Sequence, residues 1–210
     1  MIKPDVSILI PHLSSPENDK ALRVCLDCLI ANTNAVYEII IDTTRGGVYS
    51  FINRMARAAS ADWLVFMNSD VFVAPGWAEP MLAAAAPNKI VTGVIVECGA
   101  IGVNTVNVHH NFGMRPETFR RAEFEQWVAE SAVAITGDGW YFPSLHNKEA
   151  FLNMGGFDTA QGEFPVPLDI DYWNKWKQSG GMIQRVNSFC YHLQNYSNEE
   201  EQHKAVRGGV

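Results

Sequence analysis

Short apolar segments alternate with helical patterns three times in the first half of the chain, and this alternation constrains the fold more than any other feature. The predicted strands cover residues 6–10, 37–41, 63–67 and 89–97, and the predicted helices between them cover residues 16–31, 48–60 and 76–86. Strands that are apolar throughout are typical of a parallel sheet covered on both faces. We therefore expect an α/β fold with a mainly parallel central sheet and helices on both faces.

The second half of the chain is less regular. The patterns predict an irregular loop or hairpin over residues 98–114, helices over 116–130, 148–154 and 169–178, and strands over 132–136 and 182–192. No internal repeat or interdomain linker is visible, and 210 residues suit one hydrophobic core. We expect a single domain over residues 1–197, followed by a polar tail over residues 198–210.

The charge balance bears on the class of ligand. The chain has 16 Lys and Arg residues against 23 Asp and Glu residues, which gives a net charge of −7. Proteins that wrap nucleic acid need Lys and Arg to displace counterions from phosphates, so this balance argues against a nucleic-acid partner. A phosphorylated ligand would need another source of positive charge, and a divalent cation is the first candidate.

The N-terminal residues lead directly into an apolar strand. They lack the basic region, the long apolar region and the small-residue cleavage site of a signal peptide. No segment approaches the ~20 apolar residues needed to span a bilayer. We expect a cytoplasmic protein without a transmembrane segment.

Two of the four cysteines, Cys25 and Cys28, form a C-x-x-C pattern, which occurs in zinc sites and redox pairs. Both lie within the apolar pattern of the first predicted helix, and no second C-x-x-C is present. The other cysteines, Cys98 and Cys190, stand alone. We therefore interpret Cys25 and Cys28 as small buried residues of a helix rather than as ligands.

Acidic side chains follow two of the predicted strands. Asp42 closes the second strand, and Asp70 follows the third strand in the segment Asn68-Ser69-Asp70. Ligands of parallel α/β sheets bind at the carboxyl ends of the strands, so these two carboxylates should share one edge. A carboxylate there can coordinate a cation that in turn holds a diphosphate. Asn-Ser-Asp is also ordinary turn chemistry, so a plain turn is the alternative.

Further candidates occur late in the chain. Asp169 and Asp171 begin a predicted aromatic helix, where they could complement the helix dipole or, for one of them, act as a general base. His192 ends the last predicted strand, and although a lone histidine is more often structural, its position matches that of Asp70. Imidazole and carboxylate together suit a Mn²⁺ or Mg²⁺ site with open positions for phosphate oxygens.

Five landmarks in order along nearly the whole chain resemble those of the family-two glycosyltransferases of GT-A fold. They are the opening strand 6–11, the Cys-Leu helix 22–29, the segment Trp63 to Asp70 with Pro75-Gly76-Trp77, the pair Gly155-Gly156-Phe157-Asp158 and Asp169-Ile170-Asp171, and Tyr191-His192 with Ser197. The resemblance implies transfer of a sugar, with inversion, from a nucleotide-sugar donor (a UDP-, GDP- or dTDP-sugar) to a glycan or other hydroxyl acceptor.

The resemblance also implies roles for individual residues on the donor side. Asp70 and His192 would bind a divalent metal, Mn²⁺ or Mg²⁺, that bridges the two phosphates. The remaining donor-site candidates are Pro11 at the base pocket, Asp42 at the nucleobase or ribose, Asn68 at the ribose, and Arg45, Asn53 and Arg54 nearby.

On the acceptor side, the resemblance implies that Asp169 is the general base, with Asp171 as the second choice. Trp140 and Tyr141 could form an aromatic platform for an acceptor sugar, although core packing is the alternative for at least one of them.

The sequence departs from the family pattern at three places. Asn68 replaces the first acid of the D-x-D motif, Leu168 replaces the Glu before the expected base, and Thr43-Thr44-Arg45 replaces a Gly-, Ser- and Asp-rich turn. These departures leave open a GT-A domain that binds a nucleotide or sugar without turnover. A sugar nucleotidyltransferase ranks last, because no Gly-rich phosphate loop with a basic residue follows the first strand.

Overall fold

The computed structural model describes residues 2–44, 47–99, 107–131, 135, 137–139, 142–160 and 168–193. The strands are β1 (Val6–Pro11), β2 (Tyr37–Asp42), β3 (Trp63–Phe66), β4 (Val71–Val73), β5 (Lys89–Glu97), β6 (Val108–His109), β7 (Ser144–Asn147) and β8 (Met182–His192). The helices are α1 (Pro16–Asn32), α2 (Val48–Ala58), α3 (Ala78–Ala83), α4 (Arg121–Glu130), α5 (Lys148–Asn153) and α6 (Leu168–Gln178).

The described strands form one sheet in the order β2-β1-β3-β7-β5-β8-β4, with β6 beside β5. The predicted parallel arrangement of the first three strands is confirmed, since β2 and β3 both pair in parallel with β1. Strand β5 is also parallel to β8, whereas β7 and β4 run antiparallel to their neighbours. Asp42, the last residue of β2, and Asp70, which follows β3, therefore lie at the same edge of the sheet.

Two apolar clusters cover the two faces of the sheet, as the prediction of helices on both faces requires. Consecutive residues of β1 alternate between the clusters: Ile8 and Ile10 belong to the first, and Leu9 belongs to the second. The first cluster includes apolar residues of α1, α3 and α4, and the second includes those of α2, α5 and α6. This alternation follows from the two-residue period of a strand.

Helix starts follow the capping signals in the sequence. The Ser15 side chain accepts a hydrogen bond of 3.1 Å from the backbone N–H of Asn18, and Pro16 occupies the first turn of α1. Asn147 caps α5 in the same way, by accepting a 3.0 Å hydrogen bond from Ala150. These caps fix where each helix leaves the strand edge.

The structure differs from the predicted elements in several places. Strands β4 and β7 were not predicted, and α3 is shorter at both ends than the predicted helix over 76–86. The predicted helix over 116–130 is divided, because residues Pro116–Thr118 form a 3-10 turn before α4 begins. The predicted strand over 132–136 and the tail over 198–210 lie almost wholly outside the described residues.

Strand β8 carries an irregularity beside β5. Thr92 pairs with Arg185 and Val94 pairs with Phe189, so β8 uses four residues where β5 uses two. Gly93 lies at this point, and a Cβ atom there would come within 2.5 Å of the Ser188 carbonyl oxygen. The close approach of the two backbones therefore requires glycine.

All four cysteines are buried, which confirms the interpretation of Cys25 and Cys28 as buried residues of α1. Burial is the main cause that raises the pKa of Cys28 to about 11, so this thiol stays protonated at neutral pH. Among the described residues, no helix is long and apolar enough to cross a bilayer.

Candidate active site

Three ionisable side chains meet at the edge formed by β5, β8 and the start of β4. His192, the last residue of β8, lies in register with Glu97 of β5 and with Val71 of β4, directly after Asp70. Its Nε2 atom lies 3.6 Å from Asp70 Oδ1, and its Nδ1 atom lies 3.0 Å from Glu97 Oε2. Sequence reasoning brought Asp70 and His192 together correctly, but it did not include Glu97.

Both carboxylates of this group are buried, with 2% of Asp70 and 5% of Glu97 exposed. Burial by itself lowers the pKa of His192, but the Asp70 charge and the hydrogen bond to Glu97 outweigh burial and raise the pKa above the usual value. The other Glu97 oxygen, Oε1, accepts a 3.0 Å hydrogen bond from Asn107 Nδ2. The edge is therefore a concentrated region of negative charge around one imidazole.

Asp70 and His192 have the chemistry of a divalent-cation site with two protein ligands. With metal–ligand bonds of about 2.1 Å, adjacent ligands of an octahedral ion lie about 3 Å apart, which is close to the 3.6 Å between Asp70 Oδ1 and His192 Nε2. Among the described residues, no three His, Cys, Asp or Glu side chains are arranged to hold an ion together. A cation here would leave most of its coordination positions to ligand oxygens or water.

Asp42 lies with two other predicted donor-site residues. Pro11 is its partner in the β1–β2 register, and Arg54 of α2 donates a 2.9 Å hydrogen bond from Nε to Asp42 Oδ2. Thr44 donates to Asp42 Oδ1 from its backbone at 2.9 Å and from its hydroxyl at 2.7 Å. Burial raises the pKa of Asp42, but the bonds from Thr44 and Arg54 outweigh burial, so the pKa is lowered.

Asn53 is already committed to another contact. Its side-chain amide donates a 2.8 Å hydrogen bond to the Phe157 carbonyl and accepts a 3.0 Å hydrogen bond from the Phe157 N–H. Gly156 permits this approach, because a Cβ atom there would lie 2.4 Å from Asn53 Oδ1 and its φ is +70°. Asn53 thus attaches the Gly155-Gly156-Phe157-Asp158 turn to α2, and its role as a donor-site residue stays a prediction.

Asn68 and Asp70 belong to the turn between β3 and β4. The carbonyl of Asn68 accepts a 3.3 Å hydrogen bond from the Val71 N–H, which closes the turn, and the Asn68 side chain is half-buried. The turn that the sequence offered as the alternative is present, and the donor-site roles of Asn68 and Asp70 stay predictions. The turn places Asp70 directly before Val71, the first residue of the β4–β8 pairing.

Asp169 and Asp171 lie in the first turn of α6 in different environments. Asp169 is half-buried, is hydrogen-bonded to Tyr49, and accepts a 2.8 Å hydrogen bond from the Ile170 N–H. Burial is the main cause that raises the pKa of Asp169. Asp171 is exposed. Of the two acids, Asp169 has the environment that suits a general base.

Four residues singled out from the sequence lie outside the described residues: Arg45, Trp140, Tyr141 and Ser197. Their roles stay predictions. Glu97 and Asn107 were missed by the sequence analysis, although a usable signal existed for Glu97. Glu97 ends an apolar strand, and the same feature had pointed to Asp42 and Asp70.

Comparison with known proteins now adds to this geometry. No curated protein matches the chain. Of the solved structures, 142 chains match, and one of them is the crystal structure of GalNAc-T7 with UDP, GalNAc and Mn²⁺. The match has a TM-score of 0.59 at 12% identity, and it covers 90% of this chain but only 43% of that one. This likeness shows that the two chains share the GT-A fold.

The family model described as glycosyl transferase family 2 matches residues 39–144, which is half of the chain. This match spans the strand that ends in Asp42, the turn that carries Asp70, and the strand that ends in Glu97. Together with the fold, the match identifies the chain as a member of glycosyl transferase family 2.

Proposed function

We propose that the protein transfers a sugar from a nucleoside-diphosphate donor to an acceptor hydroxyl, with assistance from a divalent metal and with inversion at the anomeric carbon. The observation that carries this proposal is the meeting of the Asp70 carboxylate and the His192 imidazole at the carboxyl-end edge of a GT-A sheet. The similar structure of GalNAc-T7 contains UDP and Mn²⁺, which supports a nucleotide and a divalent metal as ligands of this fold.

On the donor side, the residues of this chain bind and orient the nucleotide. Asp70 and His192 would hold Mn²⁺ or Mg²⁺, which when bound neutralises the charge that develops on the departing diphosphate. The other donor-site candidates fall into two groups. Pro11, Asp42 and Arg54 would form the base and ribose end, and Asn68 would contact the ribose, with Arg45 and Asn53 as further candidates.

On the acceptor side, Asp169 accepts the proton of the attacking hydroxyl. The acceptor oxygen forms a bond to the anomeric carbon, the bond from that carbon to the diphosphate oxygen breaks, and the nucleoside diphosphate leaves with the bonding electrons. One displacement of this kind inverts the configuration. The raised pKa of Asp169 makes its carboxylate a better proton acceptor than an exposed aspartate. Trp140 and Tyr141 are the proposed contacts of an acceptor sugar.

The first experiment measures binding of UDP, GDP and dTDP by calorimetry, with Mn²⁺ and with EDTA. We expect one nucleotide to bind much more tightly with Mn²⁺. In Asp70→Asn, which keeps the shape and removes the charge, this difference should disappear. The control is Asp62→Asn, because Asp62 is exposed at the opposite end of β3 and pairs with Lys3. Equal affinity with Mn²⁺ and with EDTA in the parent protein would contradict the metal site.

A donor screen then separates an enzyme from a binding protein. UDP-, GDP- and dTDP-sugars are incubated with the parent protein and Mn²⁺, and release of the nucleoside diphosphate is measured. Metal-dependent nucleotide binding without turnover of any donor would favour a GT-A domain that binds its ligand without transfer. Turnover of one donor would identify the nucleotide.

A further inference from the structure

Glu97 contacts the proposed metal ligand His192 at Nδ1, whereas Asp70 lies nearest to the other ring nitrogen, Nε2. Glu97 and His192 end adjacent parallel strands and lie in register, and Glu97 Oε2 is 3.0 Å from His192 Nδ1. An ionised carboxylate only accepts hydrogen bonds, so a hydrogen bond from His192 to such a carboxylate requires the proton of the imidazole on Nδ1. In the neutral ring, Nε2 then has the free electron pair.

The opposite side of the ring has a different contact. His192 Nε2 lies 3.6 Å from Asp70 Oδ1, which is longer than the usual range of about 2.7–3.2 Å for an N–H···O hydrogen bond. Two potential ligand atoms therefore face the same space. In this arrangement a cation can bind to both atoms, while the Glu97 carboxylate at Nδ1 fixes the orientation of the His192 ring.

Asn107 completes the arrangement from the other side of Glu97. Its Nδ2 atom donates a 3.0 Å hydrogen bond to Glu97 Oε1, and both residues are buried. A buried carboxylate is costly unless it is hydrogen-bonded, and here each oxygen of Glu97 has a partner. The two bonds hold the Glu97 carboxylate against His192.

We propose that Glu97, held by Asn107, is a positioning residue that fixes His192 with its proton on Nδ1 and its Nε2 directed at the metal. This inference rests on the proposed function for the metal, and it adds a role that the donor-site residues do not include. Glu97 acts through His192 and does not contact the donor. It should therefore set the affinity for the cation and the tautomer of the ring, rather than the nucleotide preference.

The test uses Glu97→Gln, which keeps the shape and removes the charge. Long-range ¹H–¹⁵N NMR of the metal-free protein, at a pH high enough that the ring is neutral despite its raised pKa, reports the tautomer of His192. We expect the Nδ1–H tautomer in the parent and its loss or mixing in Glu97→Gln. Titration with Mn²⁺ alone, followed by paramagnetic broadening of the His192 signals, should show an affinity about 10- to 100-fold weaker in the variant.

Two further variants support the measurement. Glu38→Gln is the matched control, because Glu38 is a hydrogen-bonded glutamate of β2 that contacts Ser7 and the backbone of Ser60 instead of the site. It should change neither the tautomer nor the Mn²⁺ affinity. Asn107→Ala removes only the outer hydrogen bond, so it should weaken Mn²⁺ binding less than Glu97→Gln does. If Glu97→Gln does not fold, Asn107→Ala provides the test on its own.

The outcomes separate this inference from the proposed function. If the parent binds Mn²⁺ and Glu97→Gln binds it equally well with the same His192 tautomer, the positioning role is overturned and the metal site stands. An Nε2–H tautomer in the metal-free parent also overturns the positioning role. If Glu97→Gln does not fold, an unchanged Mn²⁺ affinity in Asn107→Ala overturns it instead. If the parent binds no Mn²⁺ at all, both the metal-dependent function and the use of Nε2 are overturned together.

Discussion

Two carboxylates with proposed roles in the reaction, Asp70 and Asp169, are held by different kinds of structure. Asp70 precedes a strand and faces His192, and the sheet register fixes both positions. Asp169 lies on the first turn of α6, and this helix contacts the sheet through side chains, with Tyr172 and Trp176 packed in the second apolar cluster. The donor side thus depends on backbone pairing, whereas the acceptor side depends on side-chain packing.

This difference indicates where each side is sensitive to change. Displacing Asp70 requires breaking strand hydrogen bonds, while α6 can shift when its aromatic contacts or the preceding Gly155-Gly156 turn change. We therefore expect substitutions around α6 to alter turnover without altering nucleotide affinity. Substitutions at the strand edge should alter both turnover and nucleotide affinity.

The largest effect is expected for the base. Asp169→Asn keeps the shape but cannot accept the proton, so turnover should fall by about 10²- to 10⁴-fold. The affinity for the nucleoside diphosphate should stay nearly unchanged, because this carboxylate belongs to the acceptor side. Steady-state kinetics and calorimetry measure the two quantities separately. A large loss of nucleotide affinity in Asp169→Asn would contradict the assignment of Asp169 to the acceptor side alone.

The pH profile and a neighbouring variant sharpen this test. A base acts when it is deprotonated, so turnover should rise with pH through the pKa of Asp169, which burial raises above the usual aspartate value. Asp171→Asn is the matched control, because Asp171 is exposed on the same helix turn. If Asp171→Asn loses turnover and Asp169→Asn keeps it, the assignment of the base is reversed.

The second prediction concerns the attachment of the turn before α6. Asn53→Ala removes two buried hydrogen bonds to Phe157 and leaves the backbone groups without these partners, so the free energy of unfolding should fall by about 2–4 kcal/mol. Turnover should fall with it, since the turn is part of the connection to Asp169. Urea unfolding and kinetics measure these changes.

Asn34→Ala is the control for Asn53→Ala. The Asn34 amide makes one exposed hydrogen bond to Glu79, so this variant should lose less than about 0.5 kcal/mol. The opposite result for Asn53→Ala would favour a role in nucleotide binding. If its stability is unchanged but its nucleotide affinity is lost, Asn53 is a donor-site residue, as the resemblance implied.

The smallest effect is expected for His146, which lies in β7 against the aromatic packing below α6. Its ring stacks on Phe66 with a centroid distance of 4.1 Å, and its Nε2 atom lies 2.8 Å from the Ser144 hydroxyl. Burial lowers the pKa of His146 to about 3 in the folded protein. Below pH ~6.5 the unfolded chain binds a proton that the folded chain does not bind, so stability present at neutral pH is lost as the pH falls.

Urea unfolding of the parent and of His146→Gln at two pH values tests this. Between pH 6.5 and 5 the parent should lose roughly 1.5 kcal/mol more than the variant. His110→Gln should behave like the parent, because His110 is exposed. If the free energy of unfolding depends on pH equally in all three proteins, His146 is hydrated or charged in the folded state. Water would then reach the aromatic packing beside α6.

The sequence was sufficient for the regular half of the fold and for part of the site. Strands β1, β2, β3 and β5 were predicted nearly to their ends because their apolar runs are continuous. Strand β7 was missed because its residues, Ser144 to Asn147, are mostly polar and show no apolar alternation. Strand β4 has only three residues, which is too few to show any period.

For the site, the limit was the pairing of strands distant in sequence. Asp70 and His192 could be placed at one edge from their positions at strand ends. Glu97 could not be placed against His192, because that contact depends on β5 and β8 being neighbours and on their register. Asn107 was harder still, since it lies in a segment that shows no regular pattern.

The irregularity in β8 has a consequence for how this sequence can vary. If all residues of β8 after the pairing of Thr92 with Arg185 followed in regular register, Glu97 would lie opposite Cys190 instead of His192. Such a register, shifted by two residues, would keep every side chain on its own face and preserve the apolar pattern. It would nevertheless place a thiol where the imidazole now lies. Alignments and designs that treat this stretch as a uniform strand would therefore misassign the residue beside Glu97.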